Sequence, residues 1–153
     1  STRPATFQGF STSATIAAGA AAQKYSITYV EPSYVTSNPA LKVAAVINNA
    51  GNSTTPDVAG AQAMFAASDF NESTGIVTWA YTTKSPAAYL FTAPTYAMVK
   101  SNYGNADKAT AVKRQVEFMA FGCSDTVKDE PMIPISKTSD LGKAILKLTA
   151  KIA

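Results

Sequence analysis

The chain has 153 residues, of which 46% are hydrophobic and only 15% are charged. This length and composition are typical of one globular domain with a core, whose polar surface comes mainly from Ser, Thr, Asn and Gln. Thirteen basic and ten acidic residues give a net charge of +3 without a basic arm or stripe, which argues against nucleic acid as a partner.

The residue inventory argues against an enzyme. Cys123 is the single cysteine and histidine is absent, so an intramolecular disulfide, an ordinary zinc set and Ser-His-Asp or Cys-His catalysis are excluded. Neither a G-x-x-x-x-G-K-S/T loop nor a G-x-G-x-x-G motif is present. We predict no catalytic residue, no ligand-binding residue, no metal and no cofactor. Cys123 is either a reactive or intermolecular thiol or a bystander, and the bystander interpretation is favoured.

The first third of the chain predicts a helix and a strand. Ser11, Thr12 and Ser13 precede an alanine-rich run over residues 14–22, which is typical of an N-capped helix. Hydroxyl groups at this position either cap the helix or bind an anion, and capping is favoured. The alternation from Ile27 to Val30 predicts a strand that ends at Glu31-Pro32, followed by a turn with Tyr34.

The next segment predicts a hairpin and a helix. Residues 41–47 read as a strand, and residues 48–52, N-N-A-G-N, tolerate the positive φ of a tight reversal. Thr55, Pro56 and Asp57 predict a helix start with a hydroxyl cap and proline at the first helical position. The predicted apolar face of this helix comprises Val58, Ala61, Met64 and Phe65.

Extended chain is predicted in the middle of the sequence. Residues 75–81 favour a strand that contains Trp79, the only tryptophan. Trp79 and Tyr81 could stack on a sugar or a base, but a core position for Trp79 is favoured. Residues 82–86 read as a loop, and residues 89–92 and 96–100 as extended chain separated by a break at Pro94.

Two closing helices are predicted. Residues 107–121 place apolar side chains at helical spacing, with Gly122 as a left-handed cap. After an extended link over residues 131–135, Thr138-Ser139-Asp140 caps a helix with an apolar stripe of Leu141, Ile145, Leu148 and Ile152. Its lysine row, Lys143, Lys147 and Lys151, either attracts acidic partners or forms a solvated face, and the solvated face is favoured.

Two acidic groupings and two modification patterns remain. The acidic groupings are Asp69 with Glu72, and Asp125 with Asp129 and Glu130. Solvated loops explain them better than paired catalytic carboxylates or calcium ligands. Asn52-Ser53-Thr54 and Asn71-Glu72-Ser73 match the acceptor pattern for N-glycosylation, which is frequent by chance.

The order of motifs resembles the C-terminal half of the phosphate-type periplasmic substrate-binding proteins of ABC transporters, including the DING-type subgroup. Residues 14–34 resemble that family's helix, its S-I-G-Y-V-E strand and its tyrosine-containing turn, and residues 42–57 its N-K-A-G-x-x-x-x-P hairpin. Residues 89–100 resemble the strand that returns to the first lobe, residues 108–121 the helix after it, and residues 134–152 the closing loop and helix. Thr28 stands where the family usually has Gly, and Leu90 where Pro is common.

The resemblance implies an α/β, periplasmic-binding-protein-like (type II) partial fold, with a mixed β-sheet flanked by helices. Residues 1–84 would resemble part of the second lobe and residues 85–153 the return to the first lobe, in one compact unit. The phosphate-gripping loops of the family do not map here, and neither Arg3 nor Arg114 stands in such a motif. No ligand-binding residue is therefore carried over, and phosphate is expected to bind only with the missing half.

Two functional hypotheses follow. The first is a non-catalytic domain derived from a phosphate-type solute-binding protein, which needs either the N-terminal half of a binding protein or copies of itself. The alternative is a self-assembling extracellular structural or filament subunit with no small ligand. In both cases we expect a secreted, periplasmic or cell-surface location, a leader or upstream portion removed before Ser1, no partner nucleic acid and no membrane span.

Overall fold

A computed structural model describes residues 6–123 and 132–153 of the chain. The chain divides into two units, residues 1–44 and residues 45–153. Helices and small antiparallel sheets alternate along it, which confirms the broad α/β prediction. The predictions on Arg3, Asp125, Asp129, Glu130 and Pro131 lie outside the described residues.

The first unit contains helix α1, Ser13–Ala22, and the short helix α2, Pro32–Thr36. Thr12 is the N-cap of α1, as the hydroxyl run predicts, and it forms a capping box with Thr15. The strand predicted over residues 27–30 is wrong, because the structure gives these residues no ladder partner among the described parts of the chain. A strand is defined by hydrogen bonds to a neighbouring strand, and the alternation of apolar and polar side chains does not show that such a neighbour exists.

The second unit begins with the predicted hairpin. Strand β1, Val46–Ile47, pairs antiparallel with β2, Ser53–Thr54, with Val46 opposite Thr54. Gly51 takes a φ of +83° in the reversal, a conformation that glycine adopts without steric cost. The hairpin is confirmed, but the strand predicted over residues 41–47 is reduced to its last two residues.

Helix α3, Val58–Ala66, follows the hairpin. Its N-cap is Asp57, whose carboxylate accepts a hydrogen bond from the Gly60 amide at 2.6 Å, so the helix begins two residues later than predicted. Ala61 and Met64 are buried and Val58 and Phe65 are half-buried, which confirms the predicted apolar face. Met64 is the largest fully buried side chain in the described residues.

A second two-stranded ladder comes after α3. Strand β3, Asp69–Phe70, pairs antiparallel with β4, Val77–Thr78, which is the only paired part of the strand predicted over residues 75–81. Trp79, next to β4, is half-buried and packs edge-on against Phe65 at 6.4 Å between ring centres. Trp79 thus belongs to the packed side of the unit, as the favoured interpretation predicts.

Helices α4, Ala106–Phe121, and α5, Asp140–Thr149, pack against each other. Across this contact the Thr149 hydroxyl donates to the Glu117 carboxylate at 3.0 Å. Both predicted helices are confirmed, and Ser139 is the N-cap of α5. The left-handed cap predicted at Gly122 is wrong, because Gly122 has a φ of −109° and closes α4 by donating to the Phe118 carbonyl at 2.8 Å.

Candidate interaction surface

The hydroxyl groups before α1 are engaged within the chain. The Thr12 hydroxyl accepts a hydrogen bond from the Thr15 amide at 3.2 Å, and the Ser13 hydroxyl donates to the Glu31 carboxylate at 3.2 Å. A carboxylate beside a helix N-terminus repels an incoming anion. The geometry therefore supports the capping role that the sequence favours over anion binding.

The lysine row on α5 also has partners within the chain. Lys143 lies 3.5 Å from Asp140, Lys147 lies 3.4 Å from Glu72, and the Lys151 ammonium donates to the Ser73 carbonyl at 3.1 Å. Both ion pairs are exposed, so each contributes little to stability. Two of the three lysines attach α5 to the β3–β4 turn, which supports a solvated face over a free basic surface.

The acidic residues that the structure describes do not form a cluster. Glu72 faces Lys147, and Asp69 lies in β3 without a second carboxylate at hydrogen-bond distance among the described residues. No group of three metal-ligating side chains occurs in residues 6–123 and 132–153. Cys123 is half-buried directly after α4.

The two acceptor patterns for glycosylation differ in geometry. The Asn52 side-chain amide donates to the Pro86 carbonyl at 3.1 Å, so this asparagine is part of the hairpin packing. The Asn71 amide oxygen instead accepts from the Ser73 hydroxyl at 2.7 Å in the exposed β3–β4 turn. Arg114 is exposed on α4.

The buried polar centre of the second unit is Asn48. Its side-chain nitrogen lies 3.0 to 3.3 Å from the carbonyl oxygens of Ser85, Pro86 and Ala88, and its oxygen accepts from the amides of Ala50 and Asn52 at 3.0 and 3.1 Å. Asn48 therefore joins the β1–β2 turn to residues 85–88. Because these are all backbone partners, the network is structural and exposes no reactive group.

Close backbone contact joins α3 to the same loop. The Tyr89 amide donates to the Gly60 carbonyl at 3.1 Å, and a Cβ atom on Gly60 would lie 3.0 Å from the Tyr89 Cβ. Burial raises the pKa of the Tyr89 phenol above its ordinary value, because the charged form loses solvation.

A hollow of about 480 Å³ lies at the start of α4. The Asn105 side chain within it is the helix N-cap and accepts from the Lys108 amide at 2.8 Å. Lys113 is the only charged side chain that lines the hollow. Asn102 and Thr110 also line the hollow, and the Asn102 side chain accepts from the Gly104 amide at 2.7 Å.

The most unusual surface of the chain is apolar. Sixteen large apolar or aromatic side chains in the described residues are exposed by 43% or more. Three of them stand at alternate positions, with Tyr25, Ile27 and Tyr29 exposed by 93%, 91% and 89%. We call these three residues the 25–29 stripe. Large apolar side chains that are exposed together mark contact surfaces more often than scattered single ones do.

The backbone at the stripe has free hydrogen-bonding groups. Residues 27–30 form no backbone hydrogen bond with any other residue that the structure describes. In the second unit, residues 95–100 likewise form no backbone-to-backbone hydrogen bond within the described ranges, and Met98 is 95% exposed. The Lys100 amide donates to the Tyr103 hydroxyl at 3.2 Å. The other amide and carbonyl groups of the two segments have no partner among the described residues and lie beside exposed apolar side chains.

Tyr25 has a strained backbone. Its φ of +61° is the only positive φ of a non-glycine residue in the described chain. A left-handed conformation costs about 1–2 kcal/mol for a residue with a side chain, and a bulky residue rarely adopts it. The Ser26 side chain, which donates to the Ala20 carbonyl at 2.8 Å, holds the following residue against the end of α1. The strain places an aromatic ring in solvent at the start of the 25–29 stripe.

None of the described helices is long and apolar enough to cross a membrane. Comparisons with protein-family models, with curated proteins and with solved structures found no match. The likeness to phosphate-type binding proteins therefore rests on the sequence motifs given above.

Proposed function

We propose that this chain is a non-catalytic association domain derived from phosphate-type solute-binding proteins, with a periplasmic-binding-protein-like partial fold. In this view its apolar segments are covered by another protein segment, either the N-terminal half of a binding protein or copies of the chain itself. The domain acts outside the cytoplasm and binds no phosphate alone.

One observation carries this proposal. The 25–29 stripe and residues 95–100 expose large apolar side chains, and the backbone groups of residues 27–30 and 95–99 form no hydrogen bond within the described ranges. Both segments coincide with stretches that resemble strands of the family. An edge with unpaired backbone groups is a template for strand addition, in which the main chain supplies affinity and alternate side chains supply specificity.

The side-chain chemistry supports a role in binding rather than in catalysis. Two of the described lysines pair with carboxylates at the surface, the half-buried Glu117 accepts from the Thr149 hydroxyl, and the buried polar network at Asn48 uses backbone partners. Removal of exposed tyrosine, isoleucine and methionine side chains from water is favourable in proportion to the apolar area buried. The hydrophobic effect that forms a protein core therefore also favours association through these two segments.

A second candidate function is a self-assembling extracellular structural subunit without a small ligand. It is favoured by the presence of two unlike apolar segments, one in each unit of the chain. Contacts between unlike surfaces can continue from copy to copy and form open assemblies, whereas a self-complementary contact closes as a dimer. The size distribution of the assemblies distinguishes the two.

Light scattering after size exclusion, over a hundredfold range of concentration, tests the proposal together with a thermal-shift titration with inorganic phosphate. We expect the mass to rise with concentration and the melting temperature to stay unchanged by phosphate. A chain that remains monomeric at every concentration contradicts association with copies of itself and leaves the N-terminal half as the partner. A chain that phosphate stabilises on its own contradicts the proposal. Open-ended growth favours the structural subunit.

A further inference from the structure

We infer that a second copy of this chain covers the 25–29 stripe, through antiparallel pairing of residues 25–30 from the two copies. The inference rests on the proposed function, because it names the partner for an association domain. It is argued from the composition of the segment, its charges and its geometry.

The composition of residues 25–30 is suited to pairing with an identical segment. The sequence Y-S-I-T-Y-V contains only β-branched, aromatic and small polar residues, without charge, Gly or Pro. Six-residue segments of this kind are the sequence signature of strands that pair with copies of themselves. In the structure the segment is already outside any helix, and residues 27–30 have no backbone partner among the described residues. Pairing therefore requires no helix to unfold, but Tyr25, in the turn after α1, must exchange its φ of +61° for an extended one.

The flanking charges select the direction of pairing. Lys24 precedes the segment and Glu31 follows it. A parallel pair in register would place Lys24 beside Lys24 and Glu31 beside Glu31, and like charges on adjacent strands are destabilising. An antiparallel pair brings the Lys24 end of one copy to the Glu31 end of the other. Charge complementarity therefore favours the antiparallel, two-fold symmetric arrangement.

The stripe then fixes the register. In a two-fold symmetric antiparallel ribbon, opposite residues point to the same face, so the axis passes through a residue position. Centred on Ile27, this pairing sets Ile27 against Ile27 and Tyr25 against Tyr29 of the second copy. All six apolar side chains then share one face. Cross-strand aromatic and β-branched pairs of this kind contribute about 0.2–1 kcal/mol each.

The strain at Tyr25 favours this contact, because a ladder position replaces its φ of +61° by an extended one. In the single chain the Tyr25 ring is 93% exposed and lies 5.0 Å from the Lys24 ammonium. Strained residues persist where they serve a contact or a site. In the paired ribbon the ring of Tyr25 has an aromatic neighbour across the strands.

Charge-reversal variants at the symmetry axis test the inference by sedimentation velocity. The variants are Ile27→Lys and Ile27→Glu, and Ile47→Lys is the matched control, since Ile47 is 65% exposed but lies outside both apolar segments. Each Ile27 variant alone places two like charges together, and we expect its dimer dissociation constant to rise by about tenfold or more. An equimolar mixture of the two variants should restore association, because Lys then faces Glu.

The outcomes separate this inference from the proposed function. Circular dichroism confirms folding of each variant, which we expect because the Ile27 side chain is 91% exposed. The pairing is overturned if both Ile27 variants associate as strongly as the wild-type chain, or if the equimolar mixture does not regain association. In either case the proposed function as an association domain still stands. A monomeric wild-type chain also overturns the pairing, whereas a chain that phosphate stabilises on its own overturns the proposed function itself.

Discussion

Tyr25 is a residue whose backbone and side chain have opposing requirements. Its φ of +61° suits glycine, whereas its exposed ring suits a contact with another molecule. We expect Tyr25→Gly to raise the free energy of unfolding by about 0.5–1 kcal/mol, because relief of the left-handed conformation outweighs the added entropy of the unfolded chain. The same variant should weaken association. Urea unfolding and sedimentation measure the two effects.

Tyr29→Gly is the control for that experiment. Tyr29 is as exposed as Tyr25 but has no positive φ, so glycine there relieves no strain. Its free energy of unfolding should stay level or fall. Equal stabilisation by both variants would show that the backbone of Tyr25 is not strained.

Asn48 is the residue on which the second unit depends most. Asn48→Ala leaves carbonyl and amide groups of the hairpin and of residues 85–88 without partners, and we expect a loss of about 2–4 kcal/mol in the free energy of unfolding. The neighbouring Asn49→Ala removes one exposed hydrogen bond, to the Tyr81 carbonyl, and should cost about 1 kcal/mol or less. Similar losses for the two variants would contradict the structural role of Asn48.

At the level of elements, α5 depends on one close backbone approach. A Cβ atom on Gly142, in its first turn, would overlap the Ser136 carbonyl group. Glycine is usually unfavourable inside a helix, yet we expect Gly142→Ala to lower the free energy of unfolding by about 2 kcal/mol or more. Chemical denaturation measures this loss.

Lys143 provides the comparison on the same helix. It is exposed and pairs only with Asp140, so Lys143→Ala should change stability by about 0.5 kcal/mol or less. A Gly142→Ala variant as stable as the wild-type chain would mean that residues 136–137 lie farther from α5 than described.

The sequence predicts the helices and their caps better than the strands. The helix caps and the hairpin turn depend on contacts with residues a few positions away, so local sequence patterns predict them. Examples are the caps Thr12 and Ser139 and the turn over residues 48–51. The strand predicted over residues 27–30 failed because a ladder needs a partner that local alternation does not provide. The Asn48 network joins residues nearly forty positions apart, and no local pattern indicates it.

The sequence predicts association but not the surface that mediates it. The low charge and the resemblance to part of a bilobal protein lead to an expectation of a partner half or of self-association. Which segments form the candidate surface follows only from exposure and hydrogen bonding, since Ile27 and Tyr29 read as half-buried strand residues in the sequence. The left-handed Tyr25 has no sequence signal, because tyrosine is not a residue of such turns.

At the level of the whole molecule, the chain has a small core and a large exposed apolar content. Most of its buried apolar residues are alanines, and Met64 is the largest fully buried side chain in the described parts. Burial of the 25–29 stripe by a second copy would add apolar contact that the chain does not make alone. Stability should therefore increase with protein concentration, as it does when association is linked to folding.

Hydrogen exchange at the amides of residues 27–30, measured at low and high protein concentration, tests this account most directly. These amides have no backbone partner among the described residues of one chain, so they should exchange at the rate of an unstructured peptide in dilute solution. At high concentration we expect alternate amides of the segment to become protected by about tenfold or more, as an antiparallel ladder forms. Free exchange of all four amides at every concentration would contradict the account.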